Sequence, residues 1–334
     1  WQKFSIDAGE TVRFVQQNAQ SAVLNRVVGK DPSAILGSLQ SNGRVFLVNP
    51  NGIVFGRGAR IDVAGLVASS LDIADADFAA GRLNFSGNAA SRAVRNDGNI
   101  ATPDGGLVYL IAPDVSNAGI VTAPNGDILL AAGRSVLIAS DAAPDMRVQI
   151  AAAAGGGAVN LGELIARSGA IGIYGANVTQ GGMANATAAV RGADGRIRLQ
   201  ATATVTAAAG STTVADGGEI VLTSGTLTKV EKGAALRADD GRIEIWSDHD
   251  TFVQGSLRAR LGFIETSGKY LDLSGIDIDA AGGTWLIDPS NISIENHNVL
   301  GAPASTCATA GSTMTCESGA AQATTHLDAD IINA

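Results

Sequence analysis

The side chains that could carry out catalysis are few and widely separated in this sequence. The three histidines, His249, His297 and His326, lie in different regions, and none has a histidine or cysteine partner at metal-ligand spacing. The densest polar cluster is Trp246-Ser-Asp-His-Asp250. A metal or acid–base site made of Asp248, His249 and Asp250 is one interpretation of it, and a solvated corner is the alternative. We therefore predict no catalytic residue, no metal site and no cofactor.

Two acidic groups could instead form the active face of a carbohydrate-active enzyme. Polysaccharide lyases and hydrolases built on a β-helix hold carboxylates and basic residues on one face. Charges on the outer side of strands are more often a solvated surface, so we predict a non-enzymatic protein and keep the enzyme as the alternative. The two groups are Asp239, Asp240, Arg242 and Glu244, and Asp272, Asp277 and Asp279.

The two cysteines, Cys307 and Cys316, lie in a segment rich in Gly, Ser, Thr and Ala. No further cysteine and no nearby histidine pair accompanies them, which argues against zinc. In an oxidising compartment this spacing predicts a short-range disulfide that closes a loop. Two free thiols are the alternative.

A tight turn, Asn49-Pro50-Asn51-Gly52, joins two short apolar runs. Proline fixes φ and removes a backbone donor, and asparagine and glycine tolerate a positive φ. The run before the turn alternates with the period of two that is typical of a strand. By itself the tetrapeptide indicates only a β-turn between strands.

The segments around this turn resemble the secretion domain of two-partner secretion exoproteins of the filamentous haemagglutinin type. The resemblance implies a right-handed parallel β-helix, usually part of an adhesin. It also implies a partner, an outer-membrane transporter that reads the domain as an address. The segments that carry the resemblance are WQKFSIDAGETVRFVQ (1–16), LNRVVGKDPSAILGSLQ (24–40), VFLVNPNGIVFG (45–56) and GLVASSLDI (65–73).

By this resemblance the Asn49–Gly52 turn is the secretion motif, which is either recognised by the pore or needed to form the first coils. Asn25-Arg26 stands roughly where some family members carry an NPNL motif, so the role of that motif is not transferred. The resemblance further implies secretion to the surface of a Gram-negative bacterium, an unidentified host or surface ligand, and a signal peptide and first strands upstream of Trp1. The stalk of a toxin-delivery exoprotein, with its effector beyond Ala334, is another alternative.

Composition and charge further limit the range of functions that the chain can have. The chain of 334 residues has 42 glycines, 4% aromatic residues, a net charge of −9 and a pI of about 4.8. Nucleic acids require a basic surface, so we exclude them as partners. No run reaches the roughly 18 apolar residues that a membrane-spanning helix needs. We expect an elongated monomer with a core of small and β-branched residues.

A glycine followed by apolar residues two and four positions later recurs along the chain. Chance would make both positions apolar roughly one time in five at this composition. A period of roughly 20 to 26 residues indicates the coils of a β-solenoid. The glycines that start the pattern are Gly43, Gly106, Gly126, Gly169, Gly195, Gly218, Gly241 and Gly283, with a partial match at Gly262.

These elements predict an all-β fold, a parallel β-helix in which the two apolar positions point inward and stack on their equivalents in adjacent coils. The resemblance implies that this β-helix is right-handed. Each glycine is expected at a corner, often with a positive φ. The 43-residue interval between Gly126 and Gly169 is interpreted as two coils. The chain would then form about 13 coils.

Two segments should depart from the regular coils. Asp31–Leu39 has an N-cap residue followed by proline and predicts a short helix that covers one end of the stack. The polar segment Asp75–Ala90 predicts a loop or hairpin outside the coils. We divide the chain into a secretion domain at 1–100 without its first strands, a β-helix shaft at 101–295, and a cysteine-bearing loop with the start of further coils at 296–334.

Overall fold

The chain winds as a parallel β-solenoid of about 11 turns, which confirms the predicted fold class. The computed structural model describes residues 1–139, 147–151, 155–187, 195–289, 292–295 and 325–328. The predicted disulfide between Cys307 and Cys316 falls outside the described residues and stays a prediction. Each coil contributes strands to three parallel faces, and the strands of a face pair in parallel from one coil to the next.

The long face contains the glycine-led strands that the sequence predicted. Four long strands bend and serve two faces each, and their full bounds are Ser38–Val48, Arg60–Ser69, Ala170–Gln180 and Arg196–Ala207. The long face takes residues 44–48, 65–69, 170–175 and 196–201 of these. Its other strands are Ala22–Arg26, Leu107–Ala112, Asp127–Ala132, Glu219–Ser224, Arg242–Ser247, Phe263–Gly268 and Thr284–Pro289.

Two further faces close each coil. The asparagine face takes residues 177–180 and 204–207 of the bent strands, together with Ser33–Ile35, Ile53–Phe55, Val94–Asn96, Val115–Asn117, Gly157–Asn160, Leu227–Val230, Asp250–Val253 and Tyr270–Asp272. The third face takes residues 38–41 and 60–63, together with Thr11–Phe14, Asn99–Ala101, Ile120–Thr122, Glu163–Ile165, Met183–Asn185, Thr212–Val214, Ala235–Arg237, Ser256–Arg258 and Asp277–Asp279.

The core is a set of aliphatic columns that run along the solenoid axis. In the long face the first inward position of each coil stacks in register on the same position of the next coil. Each aliphatic side chain fully buried in this way stabilises the fold by about 1.5–3 kcal/mol. This column consists of Val23, Val45, Leu66, Val108, Ile128, Ile171, Ile197, Ile220, Ile243, Ile264 and Trp285.

The repeated glycines have a different cause from the one predicted. The φ angles of these glycines are not positive. The left-handed conformation is adopted instead by the residue just before several of them, as at Asn125 and Asp240. The glycines are required because successive coils touch there. A Cβ atom at Gly126 would lie 1.8 Å from the carbonyl oxygen of Gly106, and one at Gly218 would lie 1.9 Å from that of Gly195.

The interpretation of the 43-residue interval as two coils is wrong. Ile128 and Ile171 are direct neighbours in the stack, so the interval is a single coil with an excursion. The excursion contains the strands Ser135–Ala139 and Arg147–Ala151, which pair with each other outside the solenoid. This excursion removes one of the coils that the sequence suggested.

The predicted helix at Asp31–Leu39 is also wrong. The segment forms the strand Ser33–Ile35 and the start of the strand Ser38–Val48. Local capping signals favour a helix, but the strands of adjacent coils offer pairing partners, and a helix this short has little stability of its own. A short helix lies instead at Asp75–Ala79, within the segment Asp75–Ala90 that the sequence predicted to lie outside the coils. No helix among the described residues is long and apolar enough to cross a membrane.

A second, smaller core covers the outside of the long face near its beginning. The strands Asp72–Ile73 and Leu83–Ser86 join Ser135–Ala139 and Arg147–Ala151 in an antiparallel sheet, which we call the outer sheet. Outward residues of the long face that lie under it are apolar and buried, and they pack with residues of the outer sheet. These residues are Phe46, Val48, Val67, Tyr109, Ile111, Leu129 and Tyr174, and their outer-sheet partners include Ile73, Phe85, Val136 and Ile138.

A ladder of buried amides runs along the inner corner of the asparagine face. Asn96 Nδ2 donates to Asn117 Oδ1 at 2.7 Å, and Asn117 Nδ2 donates to Asn160 Oδ1 at 2.8 Å. Asn160 Nδ2 in turn donates to Gln180 Oε1 at 2.8 Å. All four side chains are fully buried. Since a glycine follows each amide two positions later, the recurring Asn-x-Gly was a sequence signal of this ladder that the analysis of periodicity missed.

The contact between stacked glycines predicts that replacing a glycine with alanine lowers stability much more at some positions than at others. Gly126→Ala places a methyl group against the Gly106 backbone, and we expect it to lower the free energy of unfolding by about 3 kcal/mol or more. Gly157→Ala is the matched control, because its Cβ would meet only Asn177 O at 3.6 Å. Guanidinium denaturation measures both, and equal midpoints would contradict the steric explanation.

The amide ladder predicts a loss of stability when its middle is removed. Asn117→Ala leaves the buried amides of Asn96 and Asn160 without a partner, and we expect a cost of about 2–4 kcal/mol. Asn177→Ala, at an exposed position of the same face, should change stability by less than about 0.5 kcal/mol. Urea denaturation followed by circular dichroism tests the difference, and a neutral Asn117→Ala would show that the ladder is dispensable.

Candidate functional site

The Asn49–Gly52 turn connects the long face to the asparagine face in the second coil. It follows the strand Ser38–Val48 directly and leads into the strand Ile53–Phe55. Gly52 N donates to Asn49 O at 3.0 Å, which closes the turn. The φ of Gly52 is +101°, a conformation that favours glycine. The sequence prediction of a tight turn at this position is therefore confirmed.

The side chain of Asn49 is fully buried and uses both ends of its amide. Its Nδ2 donates to Asp31 O and to Ser33 Oγ, both at 3.0 Å. Its Oδ1 accepts hydrogen bonds from Asn51 N at 3.0 Å and from Asn51 Nδ2 at 3.1 Å. A buried amide with every partner in place stabilises one local geometry, because an unpaired one would be costly.

Asn51 extends the same network towards the first coil. Its Nδ2 donates to Gly29 O at 2.9 Å as well as to Asn49. The residues bound by the two asparagines, Gly29, Asp31 and Ser33, all lie in the preceding coil. The two amides therefore fix the turn onto the chain that precedes it.

The backbone of the turn is fixed to the following coil. Asn49 N donates to Ser69 O at 2.9 Å, and Arg92 N donates to Pro50 O at 2.9 Å. A Cβ atom at Gly52 would lie 3.0 Å from Ala93 O, so the chain passes close on this side as well. The turn thus connects three successive coils, which its sequence alone did not reveal.

A second connection in the first coils is made by Arg26, which the sequence pattern did not single out. Its guanidinium donates to Asp72 at 2.9 Å, to Asp75 at 2.8 Å and to Ile73 O at 2.6 Å. The hydrogen bond with Asp75 is the main cause that raises the pKa of Arg26. Since its partners are 46–49 residues away along the chain, no local sequence signal pointed to this contact.

The neighbouring Asn25 is buried and bonded within the same coils. Its Nδ2 donates to Phe46 O at 3.3 Å, and its Oδ1 accepts from Trp1 Nε1 at 2.9 Å. Asn25 and Arg26 therefore hold the first coil to the second coil and to the outer sheet.

The first group of candidate catalytic carboxylates is held in ion pairs on the solenoid surface. Arg258 Nη2 lies 2.6 Å from Asp239 Oδ2, and this hydrogen bond lowers the pKa of Asp239. Arg242 contacts both Glu244 and Glu265 of the next coil. Burial, followed by repulsion from Glu244, raises the pKa of Glu265.

The second group of candidate carboxylates is divided between faces. Asp272 belongs to the asparagine face and accepts a hydrogen bond from Ser274 N at 2.8 Å. Asp277 and Asp279 belong to the third face, where Arg260 lies 2.5 Å from Asp279 and its hydrogen bond lowers the pKa of that carboxyl. The structure therefore does not bring these three acids together as one catalytic face.

The Asp248-His249-Asp250 cluster forms an exposed corner between the long face and the asparagine face. Within the described ranges, no group of three or more His, Cys, Asp and Glu side chains is placed to hold a metal ion. The buried polar network around Asn49 is consequently the most elaborate candidate site, and its geometry suits a structural connection between coils.

Comparison with known proteins identifies what the chain is similar to. Residues 1–222 match the family model described as the TPS secretion domain. The crystal structure of the HMW1 secretion domain from Haemophilus influenzae superimposes with a TM-score of 0.69 and 29% identity, over 86% of this chain and 91% of that one.

Two curated relatives, both from Haemophilus influenzae, are named heme/hemopexin-binding protein. One is 37% identical over 98 residues and the other, from strain KW20/Rd, is 34% identical over 145 residues. The matches cover 29% and 40% of this chain, and they span only 11% and 16% of the length of those relatives.

The hydrogen bonds of the turn predict that its two asparagines differ in importance. Asn49→Ala leaves a buried cavity and unpaired groups on Asp31, Ser33 and Asn51, and should cost about 2–3 kcal/mol. Asn51→Ala, at a half-buried position, should cost about 1 kcal/mol. Chemical denaturation of both variants provides the test.

The exposed Asn99 supplies the control for this comparison, since Asn99→Ala should change stability by less than about 0.5 kcal/mol. If Asn49→Ala were no more destabilising than Asn99→Ala, the turn would not connect the coils in the way its hydrogen bonds indicate.

Proposed function

Because the chain belongs to the family of TPS (two-partner secretion) secretion domains, we propose that it directs the export of a filamentous haemagglutinin-type exoprotein through an outer-membrane partner transporter. Exoproteins of this family are secreted by Gram-negative bacteria. The observation that carries the proposal is the family match over residues 1–222, which includes the whole of the Asn49–Gly52 turn.

The proposed role of the Asn49–Gly52 turn is to help the first coils form, and not to be recognised directly by the partner transporter. Asn49 is fully buried, and its amide is used entirely within the protein. Pro50 and Asn51 are half-buried and leave little side-chain surface for a partner. A turn that connects three coils supports a template on which later coils can add one at a time as the chain emerges.

Beyond export, we propose a non-enzymatic surface protein whose rod presents a ligand-binding surface, as in an adhesin. The candidate carboxylates Asp239, Glu244 and Asp279 are engaged by arginines, which supports a solvated surface. The heme/hemopexin-binding relatives share only a small part of their length with this chain, so their ligand is not transferred to it. The division at residues 1–100, 101–295 and 296–334 and the monomeric state remain predictions.

Two alternatives lead to different observations. A β-helical carbohydrate-active enzyme would release reducing or unsaturated ends from acidic polysaccharides, whereas the proposed surface protein would not. The stalk of a toxin-delivery exoprotein would carry an effector encoded downstream of Ala334.

The export proposal predicts the behaviour of turn variants in cells that carry the partner transporter. Replacing Asn49 and Asn51 together with alanine should reduce the amount of secreted protein by about tenfold or more, because the first coils would no longer form a stable template. Immunoblotting of culture medium and periplasm measures the ratio. Asn99→Ala is the control, and undiminished export of the double variant would contradict the proposal.

Folding and recognition can then be separated by comparing single variants. If the turn acts through folding, export should fall in the same order as stability, with Asn49→Ala more affected than Asn51→Ala. A variant that retains full stability but loses export would instead indicate direct recognition by the transporter.

A further inference from the structure

The long face changes character where the outer sheet ends. Its outward side chains in the earlier coils, such as Tyr109 and Leu129, are apolar and buried beneath the outer sheet. Tyr174 is buried in one outward column, and the next position of that column in register is Gln200. From this coil onward most outward positions are polar, as at Arg198, Gln200 and Glu244. Val221 is an apolar, buried exception.

An open groove with a volume of about 590 Å³ lies directly beyond this boundary. It is formed by outward side chains of three successive coils and by the corner that follows them. The residues that matter here are Arg198, Gln200, Thr223, Glu244, Trp246 and Asp248. Register places Arg198 in line with Glu244, and Gln200 and Thr223 in line with Trp246.

A local irregularity widens the groove at one end. Between two aligned pairs, Gly175–Ala201 and Asn177–Thr204, the later strand contains one residue more than the earlier strand. The resulting bulge places Thr202 in the groove wall, and such bulges commonly redirect side chains beside binding sites. Gly225, also in the wall, must be small, because a Cβ there would lie 2.4 Å from Thr202 O.

Several polar groups in the groove have no partner within the part of the chain that the structure describes. The guanidinium of Arg198, the amide of Gln200 and the indole N–H of Trp246 make no hydrogen bond or ion pair to another described residue. This contrasts with the solenoid surface nearby, where Arg242 engages Glu244 and Arg258 engages Asp239. Trp246 is 39% exposed, which is unusual for a residue of this size.

We propose that this groove binds a saccharide chain. A pyranose ring has an apolar face that can pack on the exposed indole of Trp246, and a rim of hydroxyl groups that both donate and accept hydrogen bonds. Arg198 and Gln200 can donate to those hydroxyls, and Asp248 and Thr223 can accept from them. Successive coils repeat every 4.7–4.9 Å or so, so that a linear chain lying along the groove would meet the side chains of one coil after another.

The charges in the groove favour a saccharide over other polymers. Glu244 and Asp248 would repel the phosphates of a nucleic acid, and a single Arg198 does not offset them. The wall lacks the row of apolar anchors that an amphipathic helix would need. The proposal is independent of export, because purified protein suffices to test it and no transporter is involved.

The test uses the purified chain on an array of immobilised neutral and acidic oligosaccharides, followed by calorimetric titration with each oligosaccharide that is retained. We expect the protein to retain at least one of them, and Trp246→Ala to weaken that affinity by about tenfold or more, as loss of one stacking platform does elsewhere. Arg198→Gln should weaken it to a smaller extent.

Phe252→Ala is the matched control, because Phe252 is an outward aromatic residue in the same region but on the asparagine face. It should bind as the unaltered protein does, and circular dichroism establishes that all variants are folded. The proposal is overturned if no oligosaccharide on the array is retained, or if Trp246→Ala binds as tightly as the unaltered protein.

Discussion

The whole structure depends on how closely one coil approaches the next. Because each strand pairs with its equivalents above and below, the backbones of successive coils are in contact at the corners, and a side chain there would strike a carbonyl oxygen. Gly106, Gly126 and Gly169 form such a contact column, in which an added Cβ would lie 1.8 Å from Gly106 O at Gly126 and 1.9 Å from Gly126 O at Gly169. The same spacing places Ile128 on Ile171 and Ile197 on Ile220, so one constraint fixes both the glycines and the aliphatic core.

In a stack built in this way, the first coils are the hardest to form. Later coils add to an existing edge, whereas the first coils have no such edge to extend. In this chain they carry additional connections, which are the amides of Asn49 and Asn51 and the guanidinium of Arg26. The outer sheet covers the same region, where it buries Phe46 and Val67. The concentration of these contacts near the N-terminal end agrees with the proposed role of the Asn49–Gly52 turn in forming the first coils.

Sequence periodicity predicted the regular part of this fold well, because one physical cause, repeated burial at two positions after a glycine, acts in most coils. The prediction from sequence was wrong where a segment had both local structure and distant strands as possible partners. Asp31–Leu39 carries helix-capping residues, but strands of adjacent coils were available to it. The 43-residue interval hid an excursion that returns to the same register at Ile171. The hydrogen bonds of Asn49 could not be predicted, since the turn motif fixes its backbone but not the identity of Asp31 and Ser33 as partners.

The most direct measurement is hydrogen–deuterium exchange of the Asn49→Ala variant compared with the unaltered protein. If the turn connects the first three coils, the strands Ala22–Arg26, Ser33–Ile35 and Ile53–Phe55 should lose protection while Glu219–Ser224 and Arg242–Ser247 keep it. Unchanged protection in the first coils, or a uniform loss along the entire solenoid, would contradict this role for the turn.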